Sequence, residues 1–180
     1  KSEISFADLL DSLKNIDNCI IKPSKDSSAG IGVRELQVLD GIVSDYQGCL
    51  DQLLKSYNGN FVIEEKVVCC DNLRKLNPSS CNTLRIHTWR NRKENKIEFV
   101  SAFLRVGRKD SLVDNGFAGG IAVPVDNDGI LSNSGCTLKK YQRVEQSDTG
   151  ITFKGYRILQ FNQMVKEVCH AHHNLPHFDF

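Results

Sequence analysis

Ile20-Ile21-Lys22-Pro23-Ser24-Lys25-Asp26-Ser27-Ser28-Ala29-Gly30-Ile31-Gly32-Val33 is the stretch on which the reading of this chain turns. A short apolar run delivers Lys22. Small and polar residues follow, and the chain then turns apolar again. Ser27, Ser28, Ala29, Gly30 and Gly32 leave backbone N–H groups uncovered, as a loop over phosphates requires. A lysine at the end of the preceding strand supplies positive charge. The same residues also read as a strand, a flexible turn and a second strand with no ligand at all.

Working outward, Cys19 to Lys22 is the first strand and Val33 to Leu39 the second, broken by Asp40-Gly41, with Ile42-Val43 continuing after the turn. Upstream, Phe6, Leu9, Leu10, Leu13 and Ile16 fall at helical spacing, with Ser5 as N-cap. Downstream, Tyr46, Cys49, Leu50, Leu53, Leu54 and Tyr57 mark a helix closed by Asn58-Gly59-Asn60. Phe61-Val62-Ile63 is a strand that runs into Glu64-Glu65. Cys70 to Leu76 reads as a short helix. Thr83–Trp89 and Ile97–Leu104 flank a charged hairpin tip from Arg90 to Asn95. Asp114 to Gly120 is rich in turn residues and precedes the strand Ile121-Ala122-Val123. The last helix carries Phe161, Met164, Val165, Val168 and Leu175 on one face, with His170, His172 and His173 near its end. The alternation Phe178-Asp179-Phe180 after Pro176 predicts the opening of a further strand.

Composition bounds the function. The chain has 180 residues, 40% hydrophobic and 25% charged, enough for one domain or two small subdomains with a packed core. A net charge of +1 gives no general case for nucleic acid or a membrane surface. No run approaches the ~20 apolar residues of a membrane span. Seven Cys without a C-x-x-C pair read as reduced thiols of a cytoplasmic protein. Asp126-Asn127-Asp128-Gly129 lacks the downstream Glu of a calcium loop, and the three His near the last helix end have no carboxylate or Cys at ligand spacing. No metal ligands are therefore assigned. A Cys–His nucleophile pair finds no local support, and the dinucleotide, P-loop and nucleophile-elbow signatures are absent. Lys1 rather than Met at the start, and the abrupt end at Phe180, read as a piece of a longer protein.

The order of parts is more specific than any one of them. After Lys22 and its loop come Phe61-Val62-Ile63-Glu64-Glu65-Lys66-Val67-Val68, then Leu76-Asn77-Pro78-Ser79-Ser80-Cys81-Asn82-Thr83-Leu84-Arg85-Ile86. A hairpin follows, then Phe103-Leu104-Arg105-Val106-Gly107-Arg108 and Val113-Asp114-Asn115-Gly116-Phe117-Ala118-Gly119-Gly120-Ile121. This order resembles the ATP-grasp superfamily, and in detail its sugar-transfer-associated branch, from about Ile20 to the C-terminus.

The resemblance implies an α+β ATP-grasp fold with two subdomains around a nucleotide cleft, residues 1–67 and 68–180, the second incomplete. It implies ATP as ligand, with Lys22 near the α-phosphate and base, and the loop holding Ser27, Ser28, Gly30 and Gly32 over the phosphates. Glu64, Glu65, Lys66 and Val67 would meet the adenine edge as a hinge, and Asp71 would bind ribose. Arg85 and Arg105 would face the phosphates and acyl group, and Asn115 would lie at the active site. The implied reaction is ATP-dependent ligation of a small-molecule carboxylate through an acyl phosphate, in cell-surface polysaccharide or sugar-linked biosynthesis. A non-catalytic nucleotide-binding or interaction module and a kinase-like phosphotransferase are the rivals. In the family, Mg2+ is held by a strand expected downstream of Phe180. The chain alone is thus expected to be catalytically silent, and to self-associate through an unpaired sheet edge.

Overall fold

The computed structural model describes residues 8, 11, 13, 16, 18–39, 42–45, 50–137 and 139–180. The N-cap Ser5, the apolar positions Phe6, Leu9 and Leu10, the Asp40-Gly41 turn, and Tyr46 and Cys49 lie outside the described residues. The chain divides into two compact units, residues 1–68 and 69–180.

The first unit is built on a four-stranded antiparallel sheet in the order β3-β2-β1-β4. Its strands are β1 (Asn18–Pro23), β2 (Arg34–Leu39), β3 (Ile42–Asp45) and β4 (Phe61–Glu65), with helix α1 (Leu50–Ser56) before β4. Side chains alternate across a strand, so Cys19 and Ile21 go to the core while Ile20 and Lys22 go to the other face. Leu13, Cys19, Ile21 and Leu36 form the buried centre, packed by Leu53, Leu54, Tyr57, Phe61 and Ile63. Pro23 ends β1, having no N–H to continue the ladder.

The second unit holds helix α2 (Asp71–Arg74), then a five-stranded antiparallel sheet in sequence order: β5 (Thr83–Asn91), β6 (Lys96–Val106), β7 (Ile121–Val125), β8 (Gly135–Thr137) and β9 (Arg143–Val144). Helix α3 (Phe161–His173) closes it. One sheet face gives Leu84, Ile86, Ala102, Leu104, Val106, Ile121, Val123 and Val125 to a core shared with Leu73, Leu76, Phe153, Ile158 and Phe161. Each fully buried aliphatic or aromatic side chain there contributes roughly 1.5–3 kcal/mol. The other face carries Thr83, Arg85 and His87 of β5 opposite Arg105, Phe103 and Ser101 of β6.

Two expectations change at the C-terminus. Helix α3 ends at His173, so Leu175 lies beyond it. The residues after Pro176 form a turn and an irregular tail, not a strand. The tail is held from the side: Arg90 N donates to Asp179 O (2.9 Å), and Arg92 forks onto the Asp179 carboxylate at 2.8 and 3.1 Å. The Arg90 guanidinium also donates to the carbonyls of His172 at the negative end of α3 and of Leu175 and Phe178 beyond it, tying the helix end to the tail. His172 is buried, bonded to Thr88 Oγ1 at 2.8 Å and to the Phe178 carbonyl at 3.1 Å, which gives it a packing role.

Candidate functional site

In the first unit, Lys22 stands on the open face of the sheet with its Nζ 2.5 Å from Glu64 Oε2. The neighbouring Lys66 pairs with Glu35 at 2.6 Å. The Lys22 and Glu64 side chains are 39% and 52% exposed, so their pair is worth only about 0–1 kcal/mol and a ligand anion can displace Glu64. Glu65 ends β4, an edge strand, and Val67 and Val68 after it are exposed.

The loop after β1 is anchored at its base and open at its tip. Ser24 N donates to Asn60 O (3.0 Å), and Tyr57 Oη donates to Gly32 O (2.6 Å). Between these anchors the chain bonds to itself: Ser27 Oγ donates to Ile31 O and Ile31 N to Ser28 O. Gly30 and Gly32 have φ of +77° and +79°, the left-handed region glycine enters without a Cβ penalty. At Gly32 space decides as well, since a Cβ would sit 2.8 Å from the Pro23 ring. Ser27 and Ile31 line a hollow of about 270 Å3 with Pro23, Lys25 and Tyr57.

In the second unit, the segment Asn77–Thr83 folds around buried polar side chains. Asn77 Nδ2 donates to Ser80 Oγ (2.9 Å), and Ser80 Oγ to Asn82 Oδ1 (3.4 Å). Asn82 Nδ2 donates to the carbonyls of Leu73 and Asn77, while Asn82 Oδ1 accepts from Gly107 N (3.0 Å). Bonding every buried polar atom removes the cost of taking it out of water. Thr83 then donates its N–H (2.9 Å) and its hydroxyl to Asp114 Oδ2, and Arg105 Nη2 lies 2.8 Å from Asp114 Oδ1. Arg105 Nε also donates to Thr83 Oγ1 (3.0 Å). Arg105 is thus neutralised and fixed.

Arg85 differs. It is exposed on the same sheet face and has no ion-pair or hydrogen-bond partner among the described residues. Asn115 begins a single 3-10 turn, Gly116–Ala118, and its Oδ1 accepts from Phe117 N (2.7 Å) and Ala118 N (3.2 Å). Gly119 has φ +100°, and a Cβ at Gly120 would lie 2.1 Å from the Asp114 carbonyl. Both glycines are therefore demanded by the turn that brings Asp114 back to Thr83 and Arg105.

The second unit thus brings Arg85 and Arg105 onto one face, with Asn115 just past the Asp114 that holds Arg105. Asp71 stands apart. It begins α2, whose Leu73 packs with the core on the opposite side of the sheet, and its carboxylate pairs with Arg74 at 2.6 Å. Sequence reasoning missed Asp114 and the Asn77–Ser80–Asn82 network, whose only signal was a cluster of small hydrogen-bonding side chains. Burial pushes the Cys69 thiol up to about 11 and likewise raises Cys19 and Cys169, which makes these three thiols poor nucleophiles.

The family model described as sugar-transfer associated ATP-grasp matches residues 4–180. The chain belongs to that family. No curated protein and no solved structure matches it. Membership in the sugar-transfer associated ATP-grasp family implies ATP binding, usually with Mg2+, and an ATP-dependent, ligase-like function. Among the described residues no group of three or more His, Cys, Asp or Glu is placed to hold a metal ion, so these side chains alone do not fit a magnesium site. Among them, too, no helix is long and apolar enough to cross a membrane.

Proposed function

We propose that this chain is the ATP-binding part of a carboxylate ligase that works through an acyl phosphate, in cell-surface polysaccharide or other sugar-linked biosynthesis. The observation that carries the reading is Arg85: an exposed cation without a protein partner, two residues from Thr83 and on the face that also bears Arg105. Nothing inside the described fold uses its charge, whereas an ATP tail needs spaced cations.

The two units correspond in this reading to the ATP-grasp subdomains 1–67 and 68–180. Lys22 exchanges Glu64 for a phosphate or base contact. Amides of the Ser27, Ser28, Gly30 and Gly32 loop cover the phosphates. Glu64, Glu65, Lys66 and Val67 offer strand-edge backbone and, at Val67, apolar surface to adenine. Asp71, apart from the Arg85 face, takes the ribose rather than the phosphates. Arg85 and Arg105 hold the γ-phosphoryl and acyl oxygens, and the Asn115 amide nitrogen, unbonded among the described residues, donates to the same group.

A carboxylate oxygen of the substrate attacks the γ-phosphorus, and ADP leaves. The resulting acyl phosphate is attacked at its carbonyl carbon by an amine or other nucleophile, which loses a proton as inorganic phosphate departs.

Calorimetry with ATP and ADP tests the nucleotide reading directly. Lys22→Ala and Arg85→Ala should each weaken binding about ten-fold, the worth of one charge-assisted contact. Unchanged affinity in both variants removes these residues from the site. ATP-consuming amide formation across a carboxylate and amine panel, lost in Arg85→Ala, supports the ligase. Phosphorylated carboxylate accumulating without nucleophile-dependent phosphate release supports a kinase-like enzyme, and binding without turnover a non-catalytic module.

A further inference from the structure

The open face of β5 and β6 carries an imidazole beside the two arginines. His87 follows Arg85 by two residues, so both side chains leave the strand on the same side. Its Nδ1 lies 3.0 Å from Ser101 Oγ, directly across the strand pair. Its ring rests on Phe103, with centroids 5.6 Å apart and planes at 48°. The imidazole is thus oriented by one hydrogen bond and one ring contact. Its Nε2 has no partner among the described residues, and the residue is exposed. Immediately after His87 the β5–β6 register shifts, with Val100 as the extra residue on β6. Such a bulge re-aims the side chains beside it, and bulges concentrate near sites of chemistry. His87 and Ser101 also line a hollow of about 270 Å3 with Ile86, Thr88, Val100 and Phe180, so a ligand has room to reach them.

We propose that His87, oriented by Ser101 and Phe103, is a pH-dependent contact for the same anionic group that Arg85 holds, which is a phosphate of the nucleotide or the acyl phosphate oxygen. The inference rests on the ATP reading of the Arg85 face. Its physical basis is an imidazole whose second nitrogen is committed, whose first is presented to solvent, and whose neighbour is an uncompensated cation. An oxyanion placed between Arg85 and His87 meets two charges when the imidazole is protonated, and one charge with a neutral N–H donor when it is not. The other charged groups facing this row are Arg105 and Glu98 on β6 and Asp114 on the following turn. Asp114 is engaged by Arg105 and Thr83, and Glu98 by Asn91 at 3.3 Å. From the tail, Phe180 faces the same hollow, and the Asp179 carboxylate before it is engaged by Arg92. A carboxylate is therefore not set against His87 by either strand, and a ligand anion is its natural partner.

The test is ADP and ATP affinity by calorimetry from pH 5.5 to 8.5, for wild type, His87→Gln, His87→Ala and Arg85→Ala. Differences between proteins cancel the ligand's own titration. In wild type, affinity should gain about ten-fold toward pH 6 relative to His87→Gln, and the two should agree within about two-fold at pH 8.5, where Gln replaces the neutral N–H donor. His87→Ala should bind more weakly at both ends. On nucleotide addition the His87 imidazole resonances should shift in the wild type, and more at pH 6 than at pH 8.5. If His87→Gln follows the wild-type pH profile while Arg85→Ala binds weakly, the His87 contact is overturned and the ATP reading stands. If neither nucleotide binds the wild type, the ATP reading fails and takes this inference with it. Circular dichroism of each variant checks its fold. A purely structural His87 would change thermal stability and leave the pH profile of binding in place.

Discussion

Asp114 is the side chain whose removal should matter most to the second unit. It is 6% exposed and accepts from the Thr83 amide, the Thr83 hydroxyl and Arg105. Asp114→Ala leaves a guanidinium without its counter-charge in a partly desolvated place. Breaking a fully buried pair in this way costs about 3–5 kcal/mol. Arg105 keeps 28% of its side chain in water, so screening lowers that to about 2–3 kcal/mol. The orphaned Thr83 amide adds about 1 kcal/mol. The expected total is about 3–4 kcal/mol. Asp114→Asn keeps an acceptor oxygen for Thr83 but loses the charge, and should cost about half as much.

Urea denaturation at neutral pH, followed by circular dichroism, measures both. With a slope near 2–3 kcal/mol per molar, the alanine variant should unfold about 1–2 M earlier. A double-mutant cycle with Arg105→Met isolates the pair and should return a coupling of about 1.5 kcal/mol or more, because the two groups share one network. A coupling below about 0.5 kcal/mol would refute the reasoning. Arg105 would then be held by packing alone, and Asp114 would serve Thr83 only.

Gly120→Ala should destabilise by about 3 kcal/mol, because its Cβ would lie 2.1 Å from the Asp114 carbonyl and 2.9 Å from that of Asn115, both backbone atoms that cannot rotate away. A urea midpoint equal to wild type would show that the turn can open without consequence. For Asp148, burial works to raise its pKa, but bonds from the Lys109 amide and the Arg108 guanidinium outweigh it and hold the carboxyl below its usual range. A depressed carboxylate stabilises the fold above its unfolded pKa of about 3.9, and that contribution is lost as pH falls through the lower native value. Wild type should therefore lose more stability between pH 6 and pH 2.5 than Asp148→Asn, and parallel acid profiles would remove Asp148 from the account.

Most strands were legible from short apolar runs or apolar–polar alternation. The apolar run Cys19-Ile20-Ile21 before Lys22 announces β1, and Leu84 and Ile86 against Thr83, Arg85 and His87 announce β5, whereas β8 and β9 are too short to carry either signal. Lys22 and the glycine loop were legible because a strand, a cation and small residues stood together. Asp114 was not, because it meets Thr83 across 31 residues through a turn whose closure depends on two glycines. No periodicity encodes that contact. The tail misled for a related reason. Phe178-Asp179-Phe180 alternates like a strand, but alternation only states which residues could share a face. What holds these residues is the Arg90 side chain of β5 and that of Arg92 in the turn after it, and the sequence of the tail does not contain them.

The segments that mark the family in this sequence divide into residues that build and residues left over. Asn77, Ser80 and Asn82 spend their side-chain groups on one another and on the backbone of Leu73 and Gly107. Gly119 and Gly120 are fixed by φ and by space, and Asp114 is consumed by Thr83 and Arg105. Such residues resist substitution whatever the ligand, because each has a partner that would be orphaned in the interior. The Arg85 guanidinium, the Asn115 amide nitrogen and His87 Nε2 have no such partner among the described residues. In the proposed reading, a motif dense in buried hydrogen bonds fixes the frame of the site. The chemistry would then fall to the neighbours whose polar atoms the frame leaves unpaired, and their substitution should change binding while leaving the urea midpoint nearly where it was.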